Sequence, residues 1–103
     1  MIGLDTNVII RYLVQDDPKQ SKTVNHHFEK WAKNSETLWI CLVTLCEVYW
    51  VLESCYKLEK DEIINVLTQL LQTRHIQVER DDVAWKSLKD YEKGTVDFSD
   101  CLI

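Results

Sequence analysis

Short apolar runs alternate along the chain with longer amphipathic segments. The runs Met1–Leu4 and Leu38–Val43 are continuous apolar stretches typical of strands buried on both faces. Arg74–Glu79 alternates apolar and polar residues and predicts a short third strand. The segments between them repeat apolar residues every three or four positions, as amphipathic helices do. Strands that alternate with helices in this way indicate an α/β domain with a parallel sheet.

Local signals mark the starts of the predicted helices. The run Asp16-Asp17-Pro18 suits a helix start, because aspartate caps the first N–H groups and proline needs no hydrogen-bond partner there. Thr44-x-x-Glu47 matches a capping box, in which each side chain accepts from the other residue's backbone N–H. Further helices are predicted over Val8–Val14, from Asp61, from Asp81 or Asp82 to Gly94, and from Asp97.

Composition and charge are those of a small folded domain. The chain has 103 residues, of which 46% are hydrophobic, with two Gly and one Pro, so a single densely structured domain is expected. Its formal net charge of −5 argues against strong non-specific binding of nucleic acid, which usually depends on a basic surface. The acidic balance is compatible with carboxylate metal ligands and with a basic protein partner.

The four cysteines show no zinc or redox motif, because no two of them have C-x-x-C spacing. We therefore expect reduced thiols in a cytoplasmic protein. The opening MIGLDTN lacks the basic and apolar regions of a signal peptide. The most apolar segment, Leu38–Leu52, contains Glu47 and is shorter than the about 20 residues that cross a bilayer. No membrane association is expected.

Acidic side chains stand where a parallel sheet forms its binding crevice. Asp5 ends the first strand, Glu47 lies in the first turn after the second strand, and Asp97 and Asp100 share a face of the last helix. Two carboxylates about 4 Å apart repel by about 4 kcal/mol at an effective dielectric of about 20. A divalent cation such as Mg²⁺ removes this repulsion, prefers oxygen ligands and supports hydrolysis of phosphodiester bonds.

Each of these acids also has a purely structural interpretation. Glu47 fits the capping box, Asp97 fits an N-cap, and Asp100 fits an acid favoured by the helix dipole. Asp5 has fewer structural explanations, because an acid interrupts an apolar strand end there. The pattern by itself leaves both interpretations open for all four residues.

Three segments of the chain carry a family resemblance when they are taken together. They are IGLDTNVIIRYLVQDDP, LVTLCEVYWVL and VDFSDCLI, in this order and spacing. The combination resembles the PIN-domain nucleases, and especially the VapC-type toxins of bacterial toxin–antitoxin modules. The resemblance implies a PIN-like, three-layer α/β/α fold, with this chain's strands in the order 3-2-1. It also implies a Mg²⁺- or Mn²⁺-dependent endoribonuclease that cleaves RNA and is inhibited by a cognate antitoxin.

The same resemblance assigns roles to individual residues. Asp5, Glu47 and Asp100 match the family's metal-binding and catalytic acids. Asp97 matches an accompanying acid that faces the same site. Thr6 and Asn7 match the polar residues after the first acid, which support the site or contact the phosphate.

The end of the chain departs from the family pattern. The family continues past the residue that matches Ile103 with a further acid-bearing strand and helix, so residues 1–103 resemble a single PIN-like domain lacking its last strands and helix. The first strand is then expected to be an open edge, and such an edge invites pairing with another chain. A homodimer or a completing chain is therefore expected.

Two other functions stay open at this point. A truncated domain could be a catalytically inactive module that binds an antitoxin or dimerises without cutting RNA. The other is a phosphatase with Asp5 as its nucleophile. Such sites usually carry an acid two residues later, where this chain has Asn7.

Overall fold

The computed structural model describes residues 1–15, 18–94, 97, 98 and 100. Within these residues it contains a parallel sheet of three strands and five helices. The elements are β1 (Ile2–Gly3), α1 (Thr6–Val14), α2 (Pro18–Lys33), β2 (Leu38–Ile40), α3 (Leu42–Ser54), α4 (Lys60–Gln72), β3 (Ile76–Val78) and α5 (Asp81–Lys93). The predicted α/β class, a PIN-like parallel sheet flanked by helices, is confirmed.

The strands lie in the order β1-β2-β3, which is the predicted order. Both pairs are parallel, with Ile2 opposite Leu38 and Leu38 opposite Ile76. Among the described strands, β1 pairs with β2 alone and is therefore an edge of the sheet. Gly3, at the end of β1, is exposed.

Burial differs between the two faces of the sheet. The crossovers α1–α2 and α3–α4 advance in the same direction along the sheet, so right-handed crossover geometry places both on one face. Leu38, Ile40 and Val78 are buried on that face. Gln77, whose side chain points to the opposite face, is exposed. The core therefore lies between the sheet and its crossover helices.

Helix α3 is the centre of this core. It packs against both α1 and α4. The helical spacing of apolar residues predicts one buried face for this segment, and the side chains of four residues on it are at most 1% exposed: Leu45, Val48, Tyr49 and Leu52. Every other element that carries a candidate site residue is positioned against α3 directly or through one neighbour.

The predicted boundary between β2 and α3 is wrong. The strand ends at Ile40, not Val43, and the helix begins at Leu42, so the capping box predicted from Thr44 to Glu47 does not form. Ile40 pairs with Val78, the last residue of β3, and the ladder of strand pairs ends there. A continuous apolar run does not distinguish a buried strand from the start of a buried helix.

The other helix boundaries lie close to their predicted positions. Helix α2 begins at Pro18, whereas Asp16 and Asp17 lie outside the described residues. Helix α4 begins one residue before Asp61. Helix α5 begins at Asp81 after Arg80, whose φ of 51° is left-handed, and it ends before Gly94 as predicted. None of the helices in the described segments combines the length and apolar composition that a membrane span requires.

Candidate active site

Asp5 lies between β1 and α1, at the carboxyl edge of the sheet. It is the N-cap of α1, with extended backbone angles, and its Oδ1 accepts a hydrogen bond from the N–H of Val8 at 2.8 Å. Asp5 therefore has a structural role as a helix cap, which its sequence context did not suggest. Capping occupies one carboxylate oxygen, and the side chain is exposed at the start of the helix. Its Oδ2 has no hydrogen-bond partner among the described residues.

Thr6 and Asn7 are the first two residues of α1. They follow the capping residue Asp5 directly in the chain, and Thr6 is half-buried whereas Asn7 is exposed. The N–H groups of a helix's first turn have no partners within the helix, and they favour negative charge. The turn that carries these two residues can therefore bind an anion next to Asp5.

Glu47 lies on α3 and is exposed to solvent. Because the helix begins at Leu42, Glu47 is in the second turn, not in the first turn as the sequence predicted. Because the predicted capping box does not form, Glu47 has no capping role. Its carboxylate has no hydrogen bond or ion pair within the described part of the chain, whereas its neighbours Cys46 and Val48 are buried.

Asp97 and Asp100 lie on a short turn after α5. The N–H of Asp100 donates to the carbonyl of Asp97 at 3.1 Å, and both side chains are exposed. Phe98 is helical and fully buried between them, at 0% exposure. The predicted start of a final helix at Asp97 is confirmed as far as the described residues extend.

An aromatic cluster holds this turn against α3. Tyr49, Tyr91 and Phe98 have ring centroids 5.6 to 6.2 Å apart. Burial raises the pKa of the Tyr91 phenol, and the charges of Glu53 and Asp97 act in the same direction. The Asp97 carboxylate is thus within electrostatic reach of the cluster. Tyr49 follows Glu47 by two residues on α3. The same helix therefore carries Glu47 and anchors the segment that contains Asp97 and Asp100.

The described residues do not yet form a metal centre. No group of three His, Cys, Asp or Glu side chains among them is close enough to hold one ion. The donor chemistry is nevertheless suitable, since Asp5, Glu47, Asp97 and Asp100 all present exposed carboxylates, the ligands that Mg²⁺ and Mn²⁺ prefer.

Glu79 is a polar residue at the same edge of the sheet that the sequence analysis missed as a candidate. It follows β3 directly, its N–H donates to the carbonyl of Ile40 at 2.8 Å, and its Oε1 accepts from the N–H of Leu42 at 3.1 Å. The signal was available, because an acid at a strand end was the reason for selecting Asp5. It was hidden because Glu79 was taken as part of the strand.

The cysteines behave as isolated thiols in the described residues. Cys41, Cys46 and Cys55 are unpaired, and Cys101 lies outside the described residues. The hydroxyl of Thr44, 3.1 Å from the sulfur of Cys41, lowers the pKa of that thiol, whereas burial raises the pKa of Cys46.

Comparison with known proteins identifies the family of the chain. The sequence pattern that defines the PIN domain matches residues 2–103. A curated relative, the VapC ribonuclease of Aquifex aeolicus (strain VF5), is 29% identical over 99 residues, which cover 96% of this chain and 73% of that protein. No solved structure matches the chain. With its parallel sheet and a family match over nearly every residue, the chain belongs to the PIN domain family.

Proposed function

We propose that the chain is a metal-dependent endoribonuclease of the toxin type, hydrolysing RNA phosphodiester bonds. The observation that carries the proposal is the placement of exposed acids around α3. Asp5 begins the helix that packs on α3, Glu47 lies on α3 itself, and the turn of Asp97 and Asp100 is anchored to α3 through Phe98. The similarity to a protein named a VapC ribonuclease supports the choice of RNA as substrate.

The residues divide into ligands and orienting groups. Asp5, Glu47 and Asp100 hold Mg²⁺ or Mn²⁺, and Asp97 assists them. A bound divalent ion lowers the pKa of an attacking water and stabilises charge on the phosphodiester. Thr6 and Asn7, at the N-terminus of α1, orient the scissile phosphate through their side chains and first-turn N–H groups.

Cleavage of RNA in the presence of Mg²⁺ or Mn²⁺ tests this proposal. We expect cleavage that is lost with EDTA and lost in Asp5→Asn, which keeps the helix cap because asparagine caps as well as aspartate does. The matched control is Asp82→Asn, which removes one exposed carboxylate of α5 that is not a proposed ligand. Cleavage that persists in Asp5→Asn would contradict the assignment of the site.

The inactive interaction module is the second candidate function. The observation in its favour is that no three acidic, histidine or cysteine side chains among the described residues are grouped for one ion. Titration with Mn²⁺, followed by electron paramagnetic resonance, separates the two functions. Saturable binding that depends on Asp5 and Glu47 supports the enzyme, whereas folded protein that binds no Mn²⁺ supports the module.

A cognate antitoxin is the proposed protein partner, in addition to RNA. The acidic chain, at a formal charge of −5, favours a basic partner segment. Unpaired thiols at Cys41, Cys46 and Cys55 fit the reducing cytoplasm, which is where we place the protein. Salt-dependent association with a basic antitoxin, measured by calorimetry, is the expected result. Affinity that does not fall with added salt would contradict the charge argument.

The open edge of β1 is the proposed site of self-association or of completion by another chain. The N–H groups of Ile2 and Leu4 donate to the carbonyls of Thr37 and Trp39, which leaves the amide of Gly3 on the outer side of the strand. On this proposal residues 1–103 form one PIN-like domain whose sheet is extended beyond β1 by another segment. Gly3→Pro removes that outer donor and is tolerated on an edge strand.

Light scattering at increasing concentration measures the association. Dimers of the wild-type chain that dissociate in Gly3→Pro are the expected result. A well-folded monomer at high concentration, with no change on addition of an antitoxin or of a synthetic strand, would exclude the edge as an interface.

A further inference from the structure

The turn between β2 and α3 is held from the side by Glu79. The backbone N–H of Glu79 donates to the carbonyl of Ile40, the last residue of β2, at 2.8 Å. Its Oε1 accepts from the N–H of Leu42, the first residue of α3, at 3.1 Å. One half-buried residue directly after β3 thus contacts the chain immediately before and immediately after the turn residue Cys41.

The helix needs this contact because its own N-cap residue does not cap it. The first N–H groups of a helix have no partners within the helix. Cys41 occupies the N-cap position but makes no side-chain capping hydrogen bond, and its sulfur lies against the hydroxyl of Thr44. The carboxylate of Glu79 supplies an acceptor and also a negative charge at the positive end of the helix dipole.

We infer that Glu79 is a positioning residue for the candidate active site, fixing the start of α3 and through it the placement of the Glu47 carboxylate relative to Asp5. This inference rests on the proposed function. Glu47 follows Leu42 by five residues, or about 7.5 Å along the helix axis. A change in the direction of the first turn therefore displaces Glu47 from any ion shared with Asp5.

The effect of losing Glu79 is local. The part of α3 that follows Glu47 is held by Val48, Tyr49 and Leu52, each at most 1% exposed, so the helix persists when its start is released. The metal affinity and the catalytic rate should therefore change more than the stability of the domain.

Three variants of the full chain test the inference. Glu79→Ala removes the acceptor, Glu79→Gln keeps an amide oxygen at the same reach, and Asp81→Asn removes an exposed carboxylate two residues away as a matched control. The measurements are the melting temperature, hydrogen exchange of the Leu42 amide, Mn²⁺ affinity by electron paramagnetic resonance, and kcat and KM for RNA cleavage.

In the Glu79→Ala variant, the amide hydrogen of Leu42 should exchange faster than in wild type. The variant should bind Mn²⁺ about tenfold more weakly, and its kcat should be lower, with little change in the KM for RNA. Glu79→Gln should restore most of the Mn²⁺ affinity, and Asp81→Asn should match wild type in all measurements. These results together support the inference.

Three outcomes overturn it. One is wild-type Mn²⁺ affinity in Glu79→Ala despite faster exchange of the Leu42 amide, which leaves the proposed function intact. Another is a Mn²⁺ affinity of Glu79→Gln as weak as that of Glu79→Ala, which would show that the hydrogen bond to Leu42 is not the cause of the loss. The third is a folded wild-type chain that neither binds Mn²⁺ nor cleaves RNA, which overturns the proposed function together with the role of Glu79.

Discussion

The ring of Phe98 lies 5.6 Å from the ring of Tyr49, at an angle of 49° between their planes. Phe98 stands between the exposed acids Asp97 and Asp100, and Tyr49 stands two residues after Glu47 on α3. A fully buried aromatic contact therefore connects the two segments that carry candidate ligands. The connection gives the turn after α5 a defined position against the core.

Truncation of Phe98 should detach this turn. Phe98→Ala removes a side chain that is 0% exposed and should lower the free energy of unfolding by about 3 to 5 kcal/mol. Phe98→Leu keeps most of the apolar volume and should cost about 1 kcal/mol. Urea unfolding measures both effects, and Mn²⁺ binding at a temperature where both variants are folded should weaken much more in the alanine variant. Equal Mn²⁺ affinity in the two variants would show that Phe98 does not position the acids.

Asp5 combines a structural and a proposed catalytic role, and two substitutions separate them. Asp5→Asn keeps an oxygen to accept from the N–H of Val8, so its free energy of unfolding should stay within about 0.5 kcal/mol of wild type. Asp5→Ala should lose about 1 kcal/mol because the cap is gone. Both should abolish RNA cleavage. Similar stability of the two variants in urea would mean that the cap contributes nothing.

The buried tyrosines predict a loss of stability in alkaline solution. Burial raises the pKa of Tyr49, and its hydrogen bond to Glu53, at 2.7 Å, acts in the same direction; burial also raises the pKa of Tyr91. Below pH 10 folded and unfolded chains both keep these protons, so stability is unaffected. Above pH 10 the unfolded chain releases them more readily than the folded chain, so the free energy of unfolding should fall by at most about 1.4 kcal/mol per pH unit for each tyrosine.

Urea unfolding between pH 8 and pH 11 measures this slope, with pH as the only variable. Tyr49→Phe removes one titrating group and should make the decline above pH 10 shallower than in wild type. The same decline in both proteins would assign it to other groups, such as the lysines.

Lys60 connects the start of α4 to the end of α5. Its ammonium donates to the carbonyl of Gly94 at 2.9 Å and lies 4.8 Å from the centre of the Tyr91 ring. Lys60→Met should lower the free energy of unfolding by about 1 kcal/mol, because both contacts are lost at an exposed position. Lys89→Met, on the exposed surface of α5, is the matched control and should change it little. Thermal and urea unfolding that do not distinguish the two variants would show that the Lys60 contacts are not stabilising.

Some parts of the fold were predictable because they depend on local periodicity. The apolar face of α3, the start of α2 at Pro18 and the end of α5 at Gly94 follow from spacing and from the backbone preferences of proline and glycine. The end of β2 was not predictable in the same way. It is decided by where β3 stops pairing, which is information from a segment nearly 40 residues later.

The candidate site shows the same difference between local features, which the sequence predicts, and features that depend on distant segments. The sequence alone determined which acids are available, the α/β class and the family resemblance, because residue types and their spacing are properties of the chain. Only the tertiary structure decided that Asp5 is also a helix cap, that Glu47 is not, and that Glu79 satisfies the start of α3. The capping of Leu42 by Glu79 and the packing of Phe98 on Tyr49 both join segments that are distant in the sequence. Burial of the core around α3 brings these segments together.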